Sequence, residues 1–388
     1  MSASSITESY HPNLQSDPVN LFLCGDVVLG RGIDQILAHS CPPILYESYV
    51  KDARHYILLA IKKNGQLPTN PPVQPHYLWG CLLEEFQKHK PDVKIINLET
   101  SITSSDTPWP HKPVCYRMHP DNVDVIKAAG IDIALLANNH VMDWGTQSLI
   151  DTLTTLKNAG IKSAGAGLNQ KEAESPVIMD IPHKKARVLV FSFGSPDSGV
   201  PTAWAADGNR PGVAYVDPVH PASFIEKIKE LISRYKGPRD IVVFSIHWGS
   251  NWGFEIEAYH RNFARELIDT AGVDLIHGHS SHHIKGIEVY KGKLIVYGAG
   301  DFIDDYEGIE GYEEYRDDLG LMYFPSVDQV TGHVTELLLI PTRICHLKVN
   351  RATSSEDLDW IEKTLNREGA ELGTSVHRTE SGTFRLKW

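Results

Sequence analysis

Five groups of polar residues stand at the ends of apolar runs that read as buried strands. Asp26 follows Val19 to Cys24, and Asn97 and Glu99 end the run that starts at Val93. Asn138, Asn139, His140 and Asp143 follow Ile131 to Leu136, His247 follows Ile241 to Ile246, and His277 to His283 follow Val273 to Ile276. The ends of strands in an open α/β sheet are where ligands tend to bind. Carboxylates and amides mixed with imidazoles suit Mn, Fe, Zn or Mg better than a thiolate-selecting ion. One or two such ions can clamp an oxyanion and turn a bound water into a hydroxide nucleophile. Metal-assisted hydrolysis is therefore the chemistry that these residue types point to.

The densest group is Ala137 to Gly145, which reads Ala-Asn-Asn-His-Val-Met-Asp-Trp-Gly. Asn-Asn-His offers little strand propensity and no core packing. Taken alone it reads as a polar turn with an Asp helix cap; the recurrence of Asp, Glu or His at other strand ends favours a site. Glu99 points the same way, since a carboxylate buried behind a strand is costly unless something pairs with it.

The elements that must position these groups follow from the periodicity. Strands are expected at Val19 to Cys24, Val93 to Leu98, Ile131 to Leu136, Val188 to Phe193, Ile241 to Ile246 and Val273 to Ile276. Helices are expected near Tyr46 to Lys63, Leu78 to His89, Val123 to Ala129, Thr146 to Ala159, Pro221 to Tyr235, Tyr259 to Ala271 and Ser355 to Asn366. In the helix after the Asn-Asn-His group, Leu149, Ile150, Leu153 and Leu156 form one apolar stripe, and Gly160 supplies the stop. From Ile287 onward the pattern changes to short strands and tight turns. Strand–helix alternation followed by hairpins gives an α/β protein, with a mixed sheet or two packed sheets and helices outside. The expected organisation is an extended or disordered N-terminus (1–18), one main domain (19–342) with a helical insertion at about 33–90, and a small β-α-β extension (343–388) packed on it.

Composition narrows the function. The chain has 388 residues, and its 41% apolar and 22% charged content is ordinary for a soluble globular protein. A net charge of −12 with no basic stripe excludes nucleic acid as a partner. Five scattered cysteines with no C-x-x-C pair argue for reduced thiols, against a disulfide framework and a thiolate zinc site. Met1 to Asn20 is polar and carries no signal peptide or membrane anchor, so a soluble cytoplasmic protein is expected. There is no G-x-S-x-G elbow and no Walker loop.

Gly25-Asp26 through Arg31, Asn97-Leu98-Glu99, Ala137 to Gly145, His247-Trp248-Gly249, Gly278-His279 to His282 and Tyr297 to Phe302 together resemble the CapA family of poly-γ-glutamate capsule synthesis proteins. The resemblance spans Val19 to Ile340. It implies a relation to the calcineurin-like metallophosphoesterases and a four-layer α/β/β/α sandwich with a dinuclear site for Mn, Fe or Zn. It implies Asp26, Glu99, Asn139, His247, His279 and His282 as metal ligands, His140 as the general acid and Asp143 as the group orienting it. His277, His283 and Asp301 stay open between ligand and supporting roles. Three departures from the family pattern stand out. Val28 replaces the His two after Asp26, Ser280 and Ser281 replace the first His-Pro of a His-Pro-His, and Asp301 replaces an Asn.

Substrate contacts are expected from Arg31 and Arg117, whose guanidinium groups suit carboxylate or phosphate, and from Asn97, Asn138 and Trp248. The functional expectation is a metal-dependent hydrolase acting on a phosphoester or a γ-glutamyl amide of an anionic small molecule, peptide or polymer. The alternatives are a non-catalytic component that binds poly-γ-glutamate, and a nucleotide phosphodiesterase.

Overall fold

Residues alternate between the two faces of a strand, and in this chain one face of each central strand runs from apolar to polar at its C-terminal end. Ile95 is followed two and four residues on by Asn97 and Glu99. Ile133 and Leu135 lead to Ala137 and Asn139, Ile241 and Val243 to Ser245 and His247, and Leu275 to His277 and His279. The computed structural model describes residues 17–388 and puts the apolar members of all four rows in one buried cluster. The polar members continue those rows beyond it.

Among the described residues, strands form an eleven-stranded sheet, a six-stranded sheet and two short pairs. In the larger sheet, Val93–Leu98 is flanked by parallel strands Val19–Cys24 and Ile133–Leu135, and Asp26–Val27 joins it beyond the end of the first strand. The other side of Val19–Cys24 continues antiparallel through Leu319–Val327 and Val334–Ile344 to Phe384–Lys387 and Ser375–Arg378. The smaller sheet runs Ile287–Tyr290, Lys293–Val296, Leu275–His279, Asp240–His247, Ala186–Gly194 and Val177–Ile181. A mixed α/β fold results. The cluster shared by both sheets includes Leu21, Leu23 and Ile95 from one and Val190, Val243 and Leu275 from the other. The opposite faces pack on helices: Phe22 and Ile96 with Phe86 and Leu149, and Phe191 and Phe244 with Ile228 and Phe263.

Several expected bounds shift for local reasons. The first insertion helix is Arg54–Asn64 rather than starting at Tyr46, because Asp52 caps Arg54 through its backbone N–H at 2.9 Å and Glu47 turns inward to Arg31. The second is Leu82–His89, preceded by a tight turn at Tyr77–Trp79. In Gly145–Asn158 the buried face is Ser148, Leu149, Thr152 and Leu156, while Ile150 and Leu153 are half-buried. Thr152 Oγ1 accepts from the Ile102 N–H at 2.8 Å, so this helix seats partly through polar contacts that hydrophobic periodicity misses. Strands Lys162–Ala164, Val177–Ile181 and Ser375–Arg378 went unread in the sequence, being short or edge elements. Residues 1–16, most of the stretch expected to be extended or disordered, lie outside the described residues.

Next to Asp26, Gly25 is required by close approach. A Cβ at Gly25 would sit 1.9 Å from the Gly300 carbonyl oxygen, the contact that lets Asp26 and Asp301 lie side by side. Gly25→Ala is expected to cost about 1–3 kcal/mol through overpacking, read as a lower urea midpoint.

Candidate functional site

Register places the polar strand ends. Asp301, Asp26 and Asn97 are direct neighbours across three parallel strands of the larger sheet. His247 and His279 are direct neighbours in the smaller one. Ligand-capable atoms of Asp26, His247 and His279 all lie within 4.8 Å of one another, and all three residues are buried. The site is thus assembled from two sheets whose strand ends meet, each supplying one half.

The carboxylate half is Asp26, Glu99 and Asp301. Asp26 Oδ1 accepts from Asn97 Nδ2 at 2.6 Å, and its Oδ2 accepts from the Ser280 N–H at 3.2 Å. Asn138 Nδ2 donates to Asn97 Oδ1 at 3.2 Å and to the Leu98 carbonyl at 2.9 Å. The two amides expected at the substrate therefore stand behind Asp26 and brace it. Burial, then the neighbouring Asp26 charge, pushes both Glu99 and Asp301 well above the usual carboxylate range, and burial also raises Asp26.

The imidazole half is His247, His279 and His282. His247 Nδ1 faces His279 Nδ1 at 2.7 Å, and His247 Nε2 lies 3.1 Å from Asn139 Oδ1 and 3.6 Å from Glu99 Oε1. His279 Nε2 lies 2.8 Å from Ser245 Oγ. His282 Nδ1 lies 3.1 Å from Asp301, on the side of Asp26. Burial holds His247 and His279 well below the usual imidazole value, so both rings are neutral and carry lone pairs. His277 and His283 are occupied elsewhere. His277 Nε2 reaches the Cys24 carbonyl at 2.8 Å, and the His283 ring packs among Trp252, Phe254 and Tyr315.

A group with spare coordination fits these residues. Glu99 Oε2 is buried with no hydrogen-bond partner, and Glu99 Oε1 stands between His247 and His140. Three buried carboxylates facing neutral imidazoles are stable together as anions when a cation lies among them. The oxygen and nitrogen donor set matches Mn, Fe or Zn.

His140 flanks this centre. Its Nδ1 lies 2.6 Å from Asp143 Oδ2, which also accepts from the Tyr116 N–H at 2.6 Å, and Tyr116 stacks on the ring at 4.0 Å. Burial takes His140 down to about 4 against the opposing pull of Asp143. In the neutral ring the bond to Asp143 holds the proton on Nδ1, leaving Nε2 on the Glu99 side, 3.8 Å from Oε1. Glu99, Asn139, His140 and His282 open onto a pocket of about 310 Å³.

The remaining candidates are placed as follows. Arg31 lines the pocket, but its guanidinium bonds Glu47 at 2.9 Å, the Tyr56 hydroxyl at 2.8 Å and Asp305, and stacks on Tyr56 at 3.8 Å. Arg117 turns away, pairing with Asp106 at 2.8 Å and stacking on Trp144 at 3.8 Å. Trp248 is in the core, donating to the Tyr297 carbonyl at 2.8 Å. Pocket-wall residues that sequence reasoning did not name include Lys112, Tyr116, Tyr306 and Tyr312. They lie on irregular loops with no periodicity to mark them.

The family described as bacterial capsule synthesis protein PGA_cap matches residues 20–306. A probable polyglutamine synthesis accessory protein of Mycobacterium tuberculosis is 42% identical over 360 residues, 93% of this chain and 93% of that one. The capsule biosynthesis protein CapA of Bacillus anthracis is 24% identical over 375 residues, 93% of this chain and 77% of that one. The PGA biosynthesis protein CapA of Bacillus subtilis is 33% identical over 213 residues, 55% of this chain and 52% of that one. Among the described residues no helix is long and apolar enough to cross a membrane. Matched over most of its length, the chain belongs to the PGA_cap family of bacterial capsule synthesis proteins.

Proposed function

We propose that this family member is a metal-dependent hydrolase acting on an anionic substrate, a phosphoester or a γ-glutamyl amide of the poly-γ-glutamate type. The observation that carries the reading is the convergence of Asp26, His247 and His279 within 4.8 Å, beside the partnerless Glu99 Oε2. The three core clusters support an α/β/β/α layering, with the site where the two inner sheets meet at their strand ends.

Asp26, Glu99, Asn139, His247, His279 and His282 would hold one or two divalent ions of Mn, Fe or Zn. Bound there, such an ion supplies Lewis acidity and a hydroxide nucleophile near neutral pH. The chain's own residues do the rest. Asn97 and Asn138 brace Asp26, Asp143 holds the His140 ring, and His140 Nε2 passes a proton to the departing atom.

A second reading, binding of an anionic polymer without turnover, draws on Val28 in place of the family's His two residues after Asp26 and on Ser280, whose N–H rather than a side chain meets that carboxylate. Elemental analysis of the purified chain, joined to a screen of phosphoesters and γ-glutamyl peptides with and without Mn, separates the two. Bound transition metal and Mn-dependent turnover are expected. A chain that retains no Mn, Fe or Zn overturns the hydrolase reading.

A further inference from the structure

Lys112 is a group that the mechanism above leaves unused. Its ammonium stands 3.1 Å from Asp143 Oδ1, 3.1 Å from the Val114 carbonyl and 3.4 Å from His140 Nδ1. His140 Nδ1 is already committed to Asp143 Oδ2 at 2.6 Å. The Lys112 side chain lines the pocket and keeps 16% of its surface exposed, against 2% for Arg31. The other cation on the pocket wall, Arg31, is enclosed by Glu47, Tyr56 and Asp305. Among the described residues lining the pocket, Lys112 is the more exposed of the two cations.

Its position says which half of the substrate it meets. His140 Nε2 lies 3.8 Å from Glu99 Oε1 of the carboxylate group, and Lys112 lies 3.4 Å from Nδ1 of the same ring. His140 serves the departing half. An ammonium is a point charge that pairs with one anionic oxygen, and the anionic oxygen that an amine leaving group can carry close to the scissile bond is that of a carboxylate. Resting on the hydrolase reading, we infer that Lys112 binds a carboxylate carried by the leaving group, and so selects bonds whose departing half is negatively charged near the scissile atom. Such a bond is an amide whose amine is an amino acid. One water is consumed: His140 Nε2, unprotonated in the resting ring, takes the proton that water loses, the acyl carbon gains the oxygen, the C–N pair stays with nitrogen, and His140 Nε2 passes that proton to nitrogen. The ring is neutral again at the end, and the products are a carboxylic acid and a free amino acid.

The test uses the Mn-loaded full chain and two substrate pairs differing in a leaving-group carboxylate. These are γ-glutamyl-glycine against γ-glutamyl-methylamide, and 3-carboxyphenyl phosphate against phenyl phosphate. In at least one pair the carboxylated member is expected to show kcat/KM at least about tenfold higher, since a site built to pair a polar group rejects the analogue that lacks it. Lys112→Met is expected to bring that ratio to within about twofold, and Lys112→Arg to keep most of it. The ratio isolates this contact because both members of a pair use His140, and Lys112→Gln serves as a second neutral variant should Met disturb the loop. A ratio near one in the unaltered chain, or a ratio unmoved by both neutral variants, overturns the inference while hydrolysis stands. No turnover of any of the four with Mn, Fe or Zn overturns the hydrolase reading, and the role of Lys112 falls with it.

Discussion

Asp26→Ala is expected to weaken divalent-metal binding by more than about 100-fold, since even residues that merely support a ligand are worth 10- to 100-fold, and to abolish hydrolysis. The stability signature is as informative as the activity. Asp26 is fully buried and raises the pKa of both Glu99 and Asp301. Removing it orphans the Asn97 amide, at a cost of about 1–3 kcal/mol, but relieves repulsion among the carboxylates. The metal-free variant should therefore unfold within about 1 kcal/mol of the metal-free parent. Metal at 1,000 times its Kd adds about 4 kcal/mol to the parent, roughly 5 °C in Tm for a chain this long, and nothing to the variant. Differential scanning calorimetry with and without Mn reads both. A parent Tm indifferent to Mn, with the variant strongly destabilised, would show Asp26 to be a structural carboxylate.

His140→Ala should separate proton transfer from metal binding. A positioned acid or base contributes about 10²- to 10⁴-fold in rate, so kcat should fall by that amount while metal stoichiometry and affinity stay at the parent's values. The contrast with Asp26→Ala follows from geometry. His140 Nδ1 is held by Asp143, and its Nε2 lies 3.8 Å from Glu99, beside the centre and outside the group of Asp26, His247 and His279. Asp143→Asn should also lower kcat without changing metal content, because an amide can present its N–H to Nδ1 and stabilise the wrong tautomer. Wild-type kcat in His140→Ala would reduce His140 to a wall residue under Tyr116.

Much of this site could be read before any coordinates. Glu99, His247 and His279 lie four residues beyond Ile95, Val243 and Leu275 on the same strand face, so alternation carries each from the inter-sheet core to the strand end, whereas Asn139 sits in the turn after Ile133–Leu135. Asp26 and the Asn-Asn-His group stood out because such residues are poor material for a strand or a core. Residue type suggests Arg31, Arg117 and Trp248 as substrate contacts, and the structure gives each a partner within the protein while Arg31 still lines the pocket. Long side chains reach several ångströms from their Cα, and their direction is set by partners far away in the chain. Glu47 and Asp305 enclose Arg31, Asp106 and Trp144 draw Arg117 off the pocket, and the Tyr297 carbonyl holds Trp248 in the core.

The sequence by itself determined which strand ends are polar, and from the order of its motifs, the family. Both are properties of local pattern, carried by side-chain alternation and residue type. Only the tertiary structure decided that two sheets, each contributing half, build the centre. It also decided that Asn97 and Asn138 brace Asp26, that His277 stands behind His279 and shares Ser245 with it while His283 packs among aromatic rings, and that Lys112 stands beside His140. Those outcomes depend on strand register and on contacts such as Lys112 with His140, 28 residues apart, or Asp26 with Ser280, 254 apart. No local periodicity encodes a contact across such a distance; it forms only when the two sheets close on their shared core.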